Sequence, residues 1–263
     1  MSNEDHELLV ERRGDVRWIT INRPESRNAI NEGVLERIRT AVLEANDDPG
    51  LRAIVLTGAG DRAFCAGADI KAEGSASPVK PDMAAPHNAL TQVFRAFEAC
   101  NLPMLARVNG HVLAGGMGLL CGCDLAVAAD TAKFGVPEVK IGLFPMQILG
   151  YMLRLVPRRK LMEMCLTGDP FTAQEALAMG LVNHVVPADR LDEKVDWLLE
   201  RILKQSPTAL RHGKNGVHAL QDMPLQQAFA FAEANVARMS MTEDAREGFA
   251  AFQEKRDPDW PGR

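Results

Sequence analysis

The spacing of apolar and polar positions changes character near the middle of this chain. In the first half, short continuous apolar runs alternate with stretches of helical period. Residues Leu8–Arg13 and Val16–Ile21 have strand composition and are turned at Gly14-Asp15. Apolar positions at Val34, Leu35, Ile38, Val42 and Leu43 predict a helix over 28–48, stopped by Asp47-Asp48-Pro49-Gly50. Residues 53–57 read as a buried strand ended by Gly58-Ala59-Gly60. A helix over 90–100, a strand over Met104–Val108, a small-residue helix over 114–121 and strands over 125–128 and 133–136 follow. Uninterrupted apolar strands alternating with helices predict an α/β fold whose parallel sheet is covered on both faces. The polar stretch 73–86, rich in Ser, Pro and Lys, is expected to be a mobile loop.

Beyond Pro145 the period is almost entirely helical. Helices are predicted over 146–155, 158–166, 173–179, 191–205, 208–220, Leu225–Ser240 and 243–255, with one strand-like interruption at 182–186. The chain thus divides into an α/β core over 1–190 and a helical region over 191–263 with apolar faces suited to subunit packing. No repeat of fixed period is visible.

Totals narrow the function classes. The chain has 263 residues, 46% hydrophobic and 25% charged, as in an ordinary soluble globular protein. A net charge of -5 argues against nucleic-acid binding, because no basic excess exists to neutralise phosphates. Cys121-Gly-Cys123 has no second Cys or His group at metal-ligand spacing, so the five cysteines read as buried thiols and no metal is expected. The stretch 1–7 is acidic and polar, unlike a targeting peptide, and the run 108–123 is too short for a membrane span. A cytoplasmic location without membrane attachment is the expectation.

Two segments carry the chemistry: Phe64-Cys65-Ala66-Gly67-Ala68-Asp69-Ile70-Lys71 and Leu113-Ala114-Gly115-Gly116-Met117-Gly118. Both place small residues where backbone must come close to something. Glycine lets a ligand oxygen approach peptide N–H groups with no Cβ in the way. Two such N–H groups converging on one carbonyl oxygen would form an oxyanion hole. Taken alone, a Gly-Gly helix start can equally serve close helix packing.

These segments, with Ile21-Asn22-Arg23-Pro24-Glu25-Ser26-Arg27-Asn28-Ala29 before them and CDLAVA, FGVPEVKIGLFP and EGFAAFQEKR after them, resemble the crotonase (enoyl-CoA hydratase/isomerase) superfamily. The resemblance covers nearly the whole chain. It implies a crotonase-like spiral of ββα units with a C-terminal helical region, assembled as a homotrimer or homohexamer. It implies an acyl-CoA thioester as substrate, its carbonyl oxygen held by the N–H groups of Ala68 and Gly115. Residues 66–71, namely Ala66, Gly67, Ala68, Asp69, Ile70 and Lys71, together with Gly116, would line the bound CoA. Lys71 reads equally as a solvated surface lysine, and Asp69 as the residue holding the loop's shape. Phe252 and Lys255 would reach the CoA of a neighbouring subunit, or Phe252 would only pack its helix.

Family hydratases commonly use two glutamates. The first falls on Gly118, which has no side chain. The second falls on Glu138, whose alternative is an ion pair with Lys140. Met146 and Gln147 stand where the family often has glycines, so they would border the acyl pocket, though Met146 also suits core filling. The leading expectation is an enoyl-CoA hydratase working with one glutamate. The alternatives are an enoyl-CoA isomerase using the same base and a non-catalytic acyl-CoA-binding protein. Coenzyme A would enter with the substrate, and no separate cofactor is implied. Cys65 has no nearby histidine to activate it, and His111 and Asp124 read as structural.

Overall fold

The computed structural model describes residues 6–69 and 87–263; Ile70, Lys71 and the 73–86 loop lie outside them. β1 (Leu8–Arg13) and β2 (Val16–Ile21) form a hairpin, followed by α1 (Glu32–Asp47). Three strand–strand–helix units come next: β3 (Ala53–Gly58), β4 (Ala63–Cys65) and α2 (Ala89–Ala99); β5 (Met104–Val108), β6 (His111–Leu113) and α3 (Gly115–Cys121); β7 (Leu125–Ala129), β8 (Lys133–Gly135) and a 3-10 turn over Pro137–Ile141 leading to α4 (Leu149–Leu155). In each unit the first strand joins one sheet and the second strand joins another. The larger sheet has the order β1-β2-β3-β5-β7-β10 and the smaller β4-β6-β8-β9, where β9 is Phe171–Thr172 and β10 is His184–Val186.

The larger sheet is parallel except for β1, which pairs antiparallel with β2 through the Gly14 turn. Its strands alternate cleanly between two cores, as a two-residue period requires. Ile54 and Leu56 of β3, with Ile19 and Ile21 of β2, face the main core against Val34, Leu35 and Ile38 of α1. Ala53 and Val55, with Val16 and Trp18, face the opposite side, where α7 (Leu191–Leu203) lays down Leu191, Val195 and Leu199. Each of those three buried side chains contributes about 1.5–3 kcal/mol. The sheet is therefore covered on both faces, as its apolar strands predicted. Of the smaller sheet the apolar pattern showed only β8, as the strand over 133–136; its other strands, of two or three residues, are too short to show a period.

Helix starts follow local chemistry. α1 begins at Glu32, four residues later than its pattern suggested. Asn28 sits in the left-handed region (φ 55), and the side chain of Asn31 caps the helix by accepting the Val34 N–H. α4 begins at Leu149 instead of Met146, because the chain turns after Pro145 through the Ile148 N–H to Pro145 O bond.

After α5 (Arg158–Thr167) and α6 (Ala173–Ala178) come β10 and α7. The chain ends in α8 (Pro207–Leu220), α9 (Leu225–Ser240) and α10 (Glu243–Glu254). α9 buries no residue, and Leu225, Phe229, Val236, Phe249 and Phe252 are exposed on these last helices. Among the described residues no helix is long and apolar enough to cross a membrane.

Candidate active site

The turn after β4 is held by main-chain pairing to residues 27–30. Ala66 N–H donates to Arg27 O (3.1 Å), Ile30 N–H to Gly67 O (2.8 Å) and Asp69 N–H to Ile30 O (2.9 Å). Successive N–H groups of an extended chain point to opposite sides. With the Asp69 N–H aimed at Ile30, the Ala68 N–H faces away from it. It has no acceptor among the described residues, and Ala68 is exposed. Gly67 makes the bend at φ 91, a conformation that favours glycine.

The second segment meets this turn. Ala114 donates its N–H to Gly135 O (2.9 Å) and takes φ 50, ψ -125, a strained setting for a residue with a Cβ. α3 then starts at Gly115, whose N–H lies in the first turn and has no intrahelical acceptor. A Cβ placed on Gly67 would lie 2.7 Å from the Ala114 Cβ and 3.3 Å from the Gly115 N. The two turns are thus in van der Waals contact at their glycines. Gly116 and Gly118 serve packing. A Cβ on Gly116 would meet the Cys65 carbonyl oxygen at 2.5 Å, and one on Gly118 would meet Phe94 Cζ at 2.5 Å and Ile148 Cγ2 at 2.6 Å. The space in which a side chain at 118 would stand is filled by those two residues.

Glu138 lies in the 3-10 turn two residues beyond Val136. It lies three positions beyond Gly135, the residue bonded to Ala114, so it stands at most about 11 Å along the chain from that contact. It is half-buried, and its Oε2 is buried with no hydrogen-bond partner among the described residues. Burial pushes its carboxyl above the usual carboxylate range, and a bond to its own peptide N–H opposes this only in part. Lys140 does not pair with it; its ammonium is bound to Asp169 at 2.8 Å. The thiol of Cys165 on α5 is close enough for the Glu138 charge to help raise its pKa, after the larger effect of burial.

The remaining residues fall elsewhere or into supporting roles. The Asp69 carboxylate is bound by the Arg23 guanidinium at 2.6 Å. Met146 is 69% exposed, and Gln147 borders a surface groove of about 690 Å³ between α2 and α4, with Phe94 and Tyr151. Phe252 and Lys255 are exposed on the last helix and its cap, and that helix packs chiefly against α8 and α9. Cys65 is buried and its thiol is pushed up to about 12, so it is no nucleophile. His111 Nδ1 accepts the Lys133 N–H (3.2 Å), which occupies it structurally. Asp124 accepts the Met104 N–H and the Lys214 ammonium. Among the described residues no cluster could hold a metal ion.

Sequence reasoning missed the buried Asn28. Its Oδ1 accepts the Arg23 N–H (3.0 Å), and its Nδ2 donates to Ala59 O (2.9 Å) and Ala63 O (2.6 Å). Its position inside the Arg23–Ala29 motif was the available signal.

The chain matches the Enoyl-CoA hydratase/isomerase family over residues 11–263. It is 38% identical over 261 residues to the "Probable enoyl-CoA hydratase echA8" of Mycobacterium tuberculosis, covering 97% of this chain and 98% of that one. It is 36% identical over 252 residues to the "Probable enoyl-CoA hydratase, mitochondrial" of Dictyostelium discoideum, covering 95% and 89%. Among solved structures, the enoyl-CoA hydratase of Bacillus anthracis superposes with a TM-score of 0.89 at 30% identity, over 98% of this chain and 100% of that one. The enoyl-CoA hydratase of Mycobacterium smegmatis gives 0.88 at 33% identity, over 97% and 98%. Matched from end to end in sequence and in backbone, this chain has the crotonase fold and belongs to the enoyl-CoA hydratase/isomerase family of enzymes.

Proposed function

We propose that the protein is an enoyl-CoA hydratase that binds a 2-enoyl-CoA thioester with its carbonyl oxygen between the Ala68 and Gly115 N–H groups. The single observation that carries the chemistry is the buried Glu138 Oε2, without a hydrogen-bond partner among the described residues, a carboxylate oxygen held ready for a proton. As water attacks the β-carbon, Glu138 takes its proton and the alkene electrons move toward the thioester oxygen. Each N–H donor then supplies about 3–4 kcal/mol by stabilising charge that exists only in the enolate-like state. Glu138 returns its proton to the α-carbon, which restores the carboxylate and yields a 3-hydroxyacyl-CoA. The raised carboxyl pKa brings Glu138 closer to neutrality and suits it to both halves of this exchange. The names of the relatives at 36% and 38% identity favour hydration.

A second reading is favoured by the filled space at Gly118. With one carboxylate, the same site can move a proton from the α-carbon of a 3-enoyl-CoA to its γ-carbon, which is isomerisation. Incubating the protein with 2-enoyl- and 3-enoyl-CoA thioesters in heavy water separates the two. Hydration consumes the conjugated thioester and gives a hydroxyl product. Isomerisation shifts the alkene without adding water. Turnover of neither across a panel of acyl lengths defeats both readings. The exposed apolar side chains of α8–α10 support assembly into a trimer or hexamer, in which Phe252 and Lys255 would face a neighbouring subunit.

A further inference from the structure

The Arg23–Ala29 motif takes no part in the reaction proposed above, yet its residues run alongside the turn that carries Ala68. The Arg23 side chain is 13% exposed and makes three directed contacts: Nη2 to Asp69 Oδ2 (2.6 Å), Nη1 to Ala29 O (2.6 Å) and Nε to Glu7 Oε1 (2.8 Å). Asp69, 10% exposed at its side chain, immediately follows Ala68. From the same motif, Asn28 bonds to Ala63 O and Arg27 O accepts the Ala66 N–H, and Ile30, the residue that follows it, pairs with both Gly67 and Asp69. Every bond in this strip pulls the 63–69 segment toward residues 23–30. The Ala68 N–H is the donor it leaves facing the other way.

We infer that Arg23 is a positioning residue for the oxyanion donor: its ion pair with Asp69 fixes the rotation of the Ala68–Asp69 stretch and so the aim of the Ala68 N–H. The physical reason lies in the guanidinium fork. It holds the Asp69 carboxylate and the Ala29 carbonyl at once, tying the far end of the turn to the start of the Ile30 bridge. The Ile30 N–H already holds the Gly67 carbonyl of the peptide plane that carries the Ala68 N–H, and the Arg23–Asp69 pair holds the residue that follows, so both sides of Ala68 are tied. Misplacing a catalytic donor by about 1 Å costs on the order of a hundredfold in rate. Arg23 touches no reacting atom in this arrangement. Its effect is therefore expected in kcat and in carbonyl polarisation, and not in affinity for the CoA portion.

The inference rests on the thioester reading, and the experiment separates the two. The probe is 4-aminocinnamoyl-CoA, a thioester whose long-wavelength absorption band moves to the red as its carbonyl is polarised. Wild-type protein is expected to bind it with a red-shifted band. R23M is expected to bind within about threefold of wild type, to lose most of the shift and to lose about ten- to a hundredfold in kcat on an accepted substrate. R23K, which keeps the charge but not the fork, is expected to fall between. R12M is the control for a purely structural loss. Arg12 makes a comparable set of bonds, to Asp48, Gly14 O and Gly50 O, at the opposite end of the β1–β2 hairpin. R12M is expected to lower the melting temperature and leave the band unchanged. A wild-type band that does not shift on binding defeats the thioester reading and the inference together. A shifted wild-type band that R23M leaves in place defeats the inference alone. If R23M does not fold, an R23K band equal to wild type defeats it in the same way.

Discussion

Gly118 offers the sharpest test of how this site is built. The Cβ of an alanine at 118 would stand 2.5 Å from Phe94 Cζ and 2.6 Å from Ile148 Cγ2, against the 3.4 Å at which ordinary contact begins. A shift of roughly 0.9 Å is therefore required. Phe94 has little freedom to supply it, because its ring packs edge-on against Tyr151 at 5.1 Å and the Tyr151 hydroxyl donates to its carbonyl at 3.1 Å. Ile148 is buried. Overpacking of this kind costs about 1–3 kcal/mol. The removal of a glycine from a helix returns about 1 kcal/mol. Gly118→Ala is thus expected to destabilise by about 1 kcal/mol, a fall of about 2–4 °C in melting temperature for a chain of this size. Gly213→Ala is the internal control. It lies inside α8 with nothing within 4 Å of its added Cβ, so the substitution is expected to stabilise by about 0.5–1 kcal/mol. Phe94→Ala should relieve part of the crowding, making G118A less harmful in that background than in the wild type. Denaturant titration or calorimetry of the wild type, the three single variants and the double variant reads all of this. If G118A is as stable as wild type, or gains as G213A does, the space at 118 is open and the packing role given to Gly118 is refuted.

Three further outcomes follow from the same geometry. Gly67→Ala forces a Cβ to 2.7 Å from the Ala114 Cβ at φ 91, and is expected to cost about 1–3 kcal/mol of stability together with a large fall in kcat. Melting curves and steady-state rates check both. E138Q should abolish turnover on 2-enoyl-CoA while stabilising the fold at alkaline pH. Burial raises the Glu138 pKa, so the folded chain holds that proton to higher pH than the unfolded chain, and the contribution is lost as pH rises through the raised value. The melting-temperature advantage of E138Q over wild type is expected at pH 8 and should narrow toward pH 4. Asp244→Ala leaves the Ser206 hydroxyl and the Thr208 and Gly262 N–H groups without their buried acceptor. It should cost about 3 kcal/mol, seen as a lower denaturation midpoint.

What the sequence disclosed and what it hid follow from the range of the interactions involved. Uninterrupted runs such as Ala53-Ile54-Val55-Leu56 showed both the larger sheet and its double covering, because burial on both faces leaves no polar alternation. The helices were legible in their 3.6-residue period, with ends displaced where a cap or turn decided the matter, as at Asn31 before α1 and Pro145 before α4. Of the α/β core and helical region expected on either side of residue 190, the first helix of the latter, α7, lies directly on the sheet. Of the smaller sheet only β8 showed, as the strand over 133–136; the remaining strands are too short to carry a pattern. In the site, the two glycine-bearing segments stood out as small residues in unusual clusters. Asp69 was read as holding the shape of its loop, but its partner Arg23 was not found, because the two are 46 residues apart. The filling of the Gly118 space was equally invisible, since Phe94 and Ile148 sit on different helical segments and look like ordinary core residues.

A crystal structure with an unreactive acyl-CoA thioester bound is the most direct trial of the proposed site. The thioester oxygen should lie about 2.7–3.1 Å from both the Ala68 and the Gly115 nitrogen, with a Glu138 carboxylate oxygen facing the α- and β-carbons. An oxygen bound by neither peptide group, or a Glu138 turned away from the acyl carbons, would show that the two glycine turns meet for packing alone.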